Sequence, residues 1–474
     1  MLYGNLEKNA TCYADEGDRF NLRLMPTLKR SSYNMITINY PEIVKVDEKS
    51  RLTTMLDIDG EQKELWFEVD EEYEKYLCYE RSDACLIGVL QYAMRKKHDI
   101  TCLAPVTGEL LYNLNHHLFP VLCKTVGSFY HPKIFAEATS QSLENHGAVG
   151  TGMSCGVDSL HAVANHYNPT DAYTPKLTHL IVYNVAHFHT TGFKNYGKNK
   201  IKEETYAHAK EAAKALNLPL IETNSNIYEC LACGHQWTYF MGYAILSMQK
   251  LWKTFLFASS YDYSKFTLDN HDSKCPGYYD LLSMNCFSTS QLRIYSEGGG
   301  VDRVEKTSVV ADFYIAPKYL LVCWVKGSNC GVCSKCRRTM LTLDILGKLD
   351  NFKDSFPVDY YRTHLDDYLK WLVANVNEEY CQDIYAYALK GKHADKIKSI
   401  TMERDYGKLI AHNHDVLEKI SIIEKKIDKF STDKETANVK LKNSQERIKQ
   451  LEASTSWKLT KPFRLIVNTV RKRK

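Results

Sequence analysis

Polar and apolar side chains alternate along residues 63–69 (Lys-Glu-Leu-Trp-Phe-Glu-Val), the pattern of a half-buried strand. Ala84, Leu86, Ile87, Val89, Leu90 and Ala93 then recur at the spacing of an amphipathic helix over 83–94. A further strand is predicted over 99–105, and a helix carrying Leu110, Leu111, Leu114 and Leu118. Residues 1–138 are therefore expected to form a small α/β domain, and no motif within it points to a chemistry.

From Gly147 the two periods alternate regularly. Residues 147–153 are small and apolar, as suits a buried parallel strand, and Leu160, Val163 and Ala164 follow at helical spacing. Strands are predicted at 177–185, 218–223 and 254–260 and from Leu292, with helices at 203–216 and 239–252 and another starting near Arg303. Such alternation predicts an α/β fold with a parallel sheet over 139–350, followed by a helical linker region at 351–405.

The period changes again between Leu409 and Leu451. Val416, Ile420, Ile423, Ile427, Phe430, Ala437, Leu441 and Ile448 fall at heptad positions, interrupted by Lys434 and Ser444. About six heptads predict a coiled coil over 406–453 and hence a homo-oligomer, the alternative being a long helix packed on its own domain. The final segment, 454–474, mixes Trp457, Leu459, Phe463, Ile466, Val467 and Val470 with basic residues, which suits adsorption at an anionic membrane surface.

The turn after the strand at 147–153 carries the main candidate chemistry. Consecutive backbone N–H groups and the positive end of the following helix point at one place there, which favours phosphate oxygens. No lysine precedes the last serine of Ser154-Cys155-Gly156-Val157-Asp158-Ser159, so this is not the common nucleoside-triphosphate loop; an ordinary glycine-bearing turn is the other reading. Asn184, Asn224 and Ser259-Ser260 stand at strand ends where a nucleotide's edge would lie. Arg303 and Lys306, one turn apart at a helix start, are candidates for neutralising phosphate or an acidic substrate, against a solvated first turn shared with Glu305.

The segment 154–159 resembles the Ser-Gly-Gly-x-Asp-Ser signature of the PP-loop ATP pyrophosphatases. The resemblance implies a Rossmann-like parallel sheet of the PP-loop (HUP) type, with ATP held by its pyrophosphate on Ser154, Cys155, Gly156, Val157 and Ser159. It further implies Mg2+ at Asp158, and adenine read by backbone from Val182 through Asn184 to Val185. Cys155 stands where the family has its first glycine; if that position needs a positive φ, a cysteine there is strained by about 1–2 kcal/mol.

Cys323-x6-Cys330-x2-Cys333-x2-Cys336 places four thiols where they can surround one soft cation with no position left for water. A structural Zn2+ is expected, an iron–sulfur cluster being the alternative. His179, His187 and His189 near one strand end, and Cys230, Cys233 and His235, have weaker metal-like spacing; free or solvated side chains are the expectation for both sets.

A PP-loop followed by such a knuckle resembles the 7-cyano-7-deazaguanine synthase-like proteins over roughly 140–350. Ser454, Ser456, Trp457, Leu459, Thr460, Pro462 and Arg464 resemble an ending found on bacterial surface-polysaccharide glycosyltransferases. Together they imply an ATP-dependent, AMP-forming ligase or amidotransferase that adenylates a carboxylate or carbonyl oxygen of a small substrate. Asp158, Ser159, Arg303 and Lys306 would be its catalytic residues. Ammonia or an ammonia-supplying protein would be its nitrogen source and surface polysaccharide its context. Nucleoside or tRNA-base modification and a non-catalytic nucleotide-binding scaffold are the alternatives.

Composition adds constraints. A net charge of +4 over 474 residues does not mark a nucleic-acid binder. No signal peptide is visible at the first residues and no apolar run approaches the ~18 residues of a membrane span, so a cytoplasmic protein is expected, with peripheral contact at the inner membrane face through the basic tail. Most of the fifteen cysteines stand singly in apolar surroundings, as buried reduced thiols do.

Overall fold

A computed structural model describes residues 34–185, 198–268, 275–460, 462 and 464. Within it the chain forms two compact units: one holds the residues up to Ser154 together with Asn165–Gly300, the other Cys155–Ala164 together with the residues from Val301 onward. His187, His189, Phe463 and the residues after Arg464 lie outside the described residues.

The first unit contains two main sheets. The strands that open it are β1 (Asn34–Ile38), β2 (Glu42–Val46), β3 (Lys49–Ile58), β4 (Glu61–Asp70), β5 (His98–Cys102), β6 (Val106–Thr107), β7 (Ile134–Phe135) and β8 (Ala138–Thr139). They are followed by β9 (Ala148–Gly152), β10 (His179–Val182), β11 (Leu220–Glu222), β12 (Asn224–Ser225), β13 (Trp252–Ala258) and β14 (Arg293–Glu297). The first sheet is mixed, in the order β12-β4-β3-β1-β5-β7 with β2 on β3. Its long β3–β4 hairpin closes on Asp59-Gly60, where φ is 56° and 94°; positive φ at both central residues is the turn whose twist matches that of the strands it joins.

The second sheet is wholly parallel, in the order β11-β10-β9-β13-β14. The chain runs outward from β9 to one side and then returns to build the other. The reversal falls between β9 and β13, the switch point at which open α/β sheets bind ligands. Gly150 in β9 is required by packing: a Cβ there would sit 2.5 Å from the Trp252 ring.

One continuous hydrophobic core runs from Ile36 in β1 to Ile294 in β14. β12, from the stretch assigned by sequence to the ATP-binding domain, completes the edge of the first sheet. The stretch expected to be a separate N-terminal domain and the parallel sheet thus share one core. The helix expected over 239–252 spans Trp237–Ser247 instead. Trp252 begins β13, where its ring packs against Gly150 and lies 5.4 Å from the Phe255 ring.

The second unit is helical. Helices Arg303–Asp312, Ser334–Ile345, Leu365–Ala374 and Glu379–Ala388 bury Val304, Val310, Met340, Leu341, Leu343, Leu369, Leu372 and Ile384. The last helix, Ala394–Ala453, is 60 residues long and buries only Ile397. Arg404 donates to the Val373 carbonyl at 2.8 Å, and every residue from Asp405 to Ala453 is exposed. The alternative of a long helix packed on its own domain is therefore not what the chain adopts. No described helix is long and apolar enough to cross a membrane.

Candidate metal centre and basic cluster

The helix that begins at Arg303 is fixed by a capping box. The Asp302 carboxylate accepts from the N–H groups of Val304 and Glu305, each at 2.8 Å, and the Glu305 carboxylate accepts from the Asp302 N–H at 2.9 Å. Glu305 is thereby spent on the cap. Arg303 and Lys306 turn inward and are 8 % and 1 % exposed, so the solvated first turn is excluded.

Both cations close on Asp158. Arg303 Nη2 donates to Asp158 Oδ2 at 3.0 Å and Lys306 Nζ to Oδ1 at 3.2 Å. Burial opposes ionisation of Asp158, but the charges on Arg303 and Lys306 override it and hold the carboxyl below its ordinary 3.8. With each oxygen engaged by a cation, Asp158 fits the role of anchor for two positive side chains better than that of the direct Mg2+ ligand expected from the loop.

A pH dependence follows. A carboxyl whose folded pKa is lowered contributes stability above its unfolded value and loses it as pH falls through the folded one. Asp158→Asn is expected to cost about 3 kcal/mol near neutrality by leaving two buried cations short of a counter-charge. The gap from wild type should narrow only below about pH 4, and urea midpoints measured from pH 7 to pH 3 check it; a gap that widens in acid contradicts the assignment.

The remaining loop residues are placed as follows. Cys155 has φ 58°, the left-handed region that favours glycine, and its carbonyl accepts from the Leu321 N–H at 2.9 Å. The strain foreseen for a cysteine at this position is therefore present. Its thiol is buried and pushed up to about 12 by that burial, which leaves it neutral and unsuited to nucleophilic work. Gly156 and Val157 lead into the helix, and Ser159 Oγ donates to the Gly156 carbonyl at 3.1 Å.

Ser154, Val182 and Asn184 belong to the first unit. The Val182 carbonyl accepts from both the N–H and the hydroxyl of Thr223, at 3.2 Å and 2.8 Å, so it is not open to an adenine edge. Asn184 donates to Asn224 at 2.7 Å. His179 opens β10 rather than ending it, 6.1 Å from the Trp252 ring and away from the ligand end of the sheet.

The four cysteines come together. One sulfur from each of Cys323, Cys330, Cys333 and Cys336 lies within 4.8 Å of the others, and the Cys330 and Cys336 sulfurs are 3.9 Å apart. A tetrahedron of thiolates bonded at about 2.3 Å has edges of about 3.8 Å, so the set can hold a single metal ion such as zinc. In an iron–sulfur cluster the four thiolates are divided among two or four irons, which spreads the set further than this. Among the described residues no other group of histidines, cysteines and carboxylates is so disposed; Cys230 and Cys233 are free thiols.

Local hydrogen bonds aim the sulfurs. The N–H groups of Val325, Cys333 and Cys336 point at the sulfurs of Cys323, Cys330 and Cys333, at 3.4, 3.4 and 3.5 Å. Bonds from the Cys333 and Cys336 thiols draw the Cys323 thiol far below its ordinary value. Gly331 takes φ +80°, and a Cβ there would meet the Pro357 ring at 2.7 Å. The helix expected from Met340 begins at Ser334 with Cys333 as its N-cap, so Cys336 sits in its first turn.

Sequence reasoning missed four residues of this region. Asn329 braces the knuckle: its amide oxygen accepts from the Val322 and Cys323 N–H groups and its amide nitrogen donates to the Leu320 and Ser355 carbonyls. Lys335 and Arg338 flank Cys336, and Tyr380 comes from the supposed linker. The guanidinium of Arg303 lies 4.5 Å and that of Arg338 4.2 Å from the centre of the Tyr380 ring. The Arg337-Arg338 pair after the last cysteine was a visible signal; Tyr380 had none.

Comparison with known proteins finds no family model, no curated protein and no solved structure that matches the chain.

Proposed function

We propose that the chain is an ATP-dependent, AMP-forming enzyme that activates a carboxylate or carbonyl oxygen of a small molecule for amidation. The observation that carries the reading is the positive φ of Cys155. The residue after Ser154 occupies a glycine-type conformation at the very position where the PP-loop signature has its glycine. The loop also follows the central strand of a parallel sheet whose order reverses at that strand.

In this mechanism the pyrophosphate of ATP rests on Ser159 and the loop amides from Cys155 onward. Arg303 and Lys306, held by Asp158, offset its charge, and Mg2+ travels with the phosphates of the nucleotide. The substrate oxygen attacks the α-phosphorus, the bond to the bridging oxygen of pyrophosphate breaks, and pyrophosphate leaves. Ammonia, free or delivered by a partner protein, then adds to the activated carbon and AMP departs with the former substrate oxygen. Positioning and charge neutralisation do most of the work, and no side-chain base is needed for the first step.

The exposed heptad helix is proposed to join two copies of the chain. The basic tail after it is proposed to adsorb to an anionic membrane surface, consistent with enzymes that build surface glycans. Zinc is the metal proposed for the knuckle, with a structural role.

The test is product analysis with MgATP, ammonium and a panel of sugar acids, nucleotide-sugar acids and deazapurine acids. AMP and pyrophosphate are expected, reduced at least a hundredfold in Ser159→Ala. Release of ADP and phosphate, or no turnover together with no ATP binding, overturns the reading and leaves the scaffold.

A further inference from the structure

The long helix Ala394–Ala453 ends at Ser454, which takes φ −66° and ψ 146° and also caps the start of a short helix, Thr455–Leu459. One extended residue between two helices breaks their common axis, so the chain turns a corner there. Hydrogen bonds hold the corner. Ser454 Oγ donates to the Leu451 carbonyl at 2.6 Å and accepts from the Trp457 N–H at 3.3 Å.

Past the corner three side chains close on one another. Trp457, Thr460 and Arg464 stand at i, i+3 and i+7, one face of a helix, and the Arg464 N–H donates to the Thr460 carbonyl at 3.2 Å. The Arg464 guanidinium lies 3.5 Å from the centre of the Trp457 ring. Its Nη1 donates to Thr460 Oγ1 at 2.9 Å and its Nη2 to the Trp457 carbonyl at 2.5 Å. Two directed bonds and a stacked plane need the fork of arginine; a lysine would bring the charge alone. The clamp therefore fixes an indole and a cation together.

What it presents is amphipathic. Trp457 remains 40 % and Leu459 72 % exposed. Residues 454–474 hold seven lysines and arginines and no acidic residue. Indole rings settle at the boundary between lipid headgroups and acyl chains, and cations beside them are drawn to anionic headgroups.

We propose that the turn formed by Ser454, Trp457, Thr460 and Arg464 is the membrane contact of the protein. Trp457 and Leu459 enter the headgroup boundary of an anionic bilayer. Arg464 holds the indole in place and meets lipid phosphate with its remaining N–H groups. That the tail meets an anionic bilayer rests on the functional reading given above; that Arg464 acts through its fork as well as its charge follows from the clamp.

The experiment is co-sedimentation of the full-length, metal-loaded protein with vesicles of phosphatidylcholine alone and of phosphatidylcholine mixed with phosphatidylglycerol. Wild type should pellet with the mixed vesicles only, and less as salt rises. Lys458→Gln removes a charge outside the clamp and should weaken binding about fivefold. Trp457→Ala should weaken it roughly tenfold or more. The decisive variant is Arg464→Lys, which keeps the charge and loses the fork; a loss of about fivefold is expected. Ser454→Ala alters no charge and should weaken binding about threefold through the lost corner. Circular dichroism and chain mass confirm each variant's fold.

Binding unchanged in both Arg464→Lys and Ser454→Ala, while Lys458→Gln weakens it, overturns the clamp and leaves a tail held by charge alone. Equal pelleting with both kinds of vesicle overturns the assignment to an anionic surface. Wild type that pellets with neither removes the membrane reading itself.

Discussion

Stripping the knuckle of its metal with a strong chelator at neutral pH is expected to lower the melting temperature of the second unit by about 10–20 °C. Structural zinc in small domains is worth roughly 10–16 kcal/mol of apparent binding energy, while whole domains are stable by about 5–15 kcal/mol. Losing even ~5 kcal/mol of this moves the midpoint by the stated amount for a unit of this size. Cys323, Cys330 and Cys333 precede the helix Ser334–Ile345 and Cys336 lies in its first turn, so release of the metal frees the start of that helix. Cys330→Ser should behave like the chelated protein, whereas Cys275→Ser, outside the cluster, should not.

Calorimetry and metal analysis on the same samples decide the matter. One metal ion per chain is expected, without the visible absorption that an iron–sulfur cluster would bring. A protein that retains its melting temperature after the metal content has fallen below a tenth of an ion per chain would leave the knuckle without its structural role.

The parts of the molecule legible in its sequence were those where one physical rule acts alone. Two-residue and 3.6-residue periods located the strands of the parallel sheet and most helices, because each element buries one face against a single core. The Cys-x2-Cys-x2-Cys spacing was legible for a similar reason, since four sulfurs around one ion leave few chain paths. Where two demands compete, local pattern misled. The apolar run after Trp237 continues through Trp252, but the fit of Trp252 against Gly150 takes that residue for a strand and ends the helix at Ser247. The Asp59-Gly60 dipeptide is by contrast a local hairpin signal, because both residues tolerate the positive φ the turn needs.

The candidate site was half legible. Asp158, Arg303 and Lys306 could be chosen by type and position, yet their mutual pairing spans more than 140 residues of chain and leaves no local trace. Tyr380 sits in a stretch whose pattern showed only helix, and its value lies wholly in what two remote arginines do above its ring.

Replacing Ile420 and Ile427 together by aspartate is expected to turn a dimer of the full chain into a monomer. Along the exposed helix the first core position of each heptad holds Asn413, Ile420, Ile427, Lys434, Leu441 and Ile448. The second holds Leu409, Val416, Ile423, Phe430, Ala437, Ser444 and Leu451. Side chains as large as Ile427 and Phe430 stand 60 % and 75 % exposed there, and burying each would contribute about 1.5–3 kcal/mol. A polar residue at the first position, Asn413 or Lys434, restricts register and strand number at some cost in stability. In a parallel pair in register, Lys419 faces the Glu424 position of the other helix and Arg447 the Glu452 position, with no like-charged pair at these flanking sites. Orientation is checked with Ser444→Cys: parallel helices bring the two copies of this position together and should oxidise to a covalent dimer, while antiparallel helices set each second-position residue against a first-position one, keep the two cysteines apart and should not. Light scattering at about 50 μM should give twice the chain mass for wild type and the chain mass for the double variant. A monomeric wild type at that concentration would sink the association, and a dimer that resists cross-linking would sink its parallel arrangement.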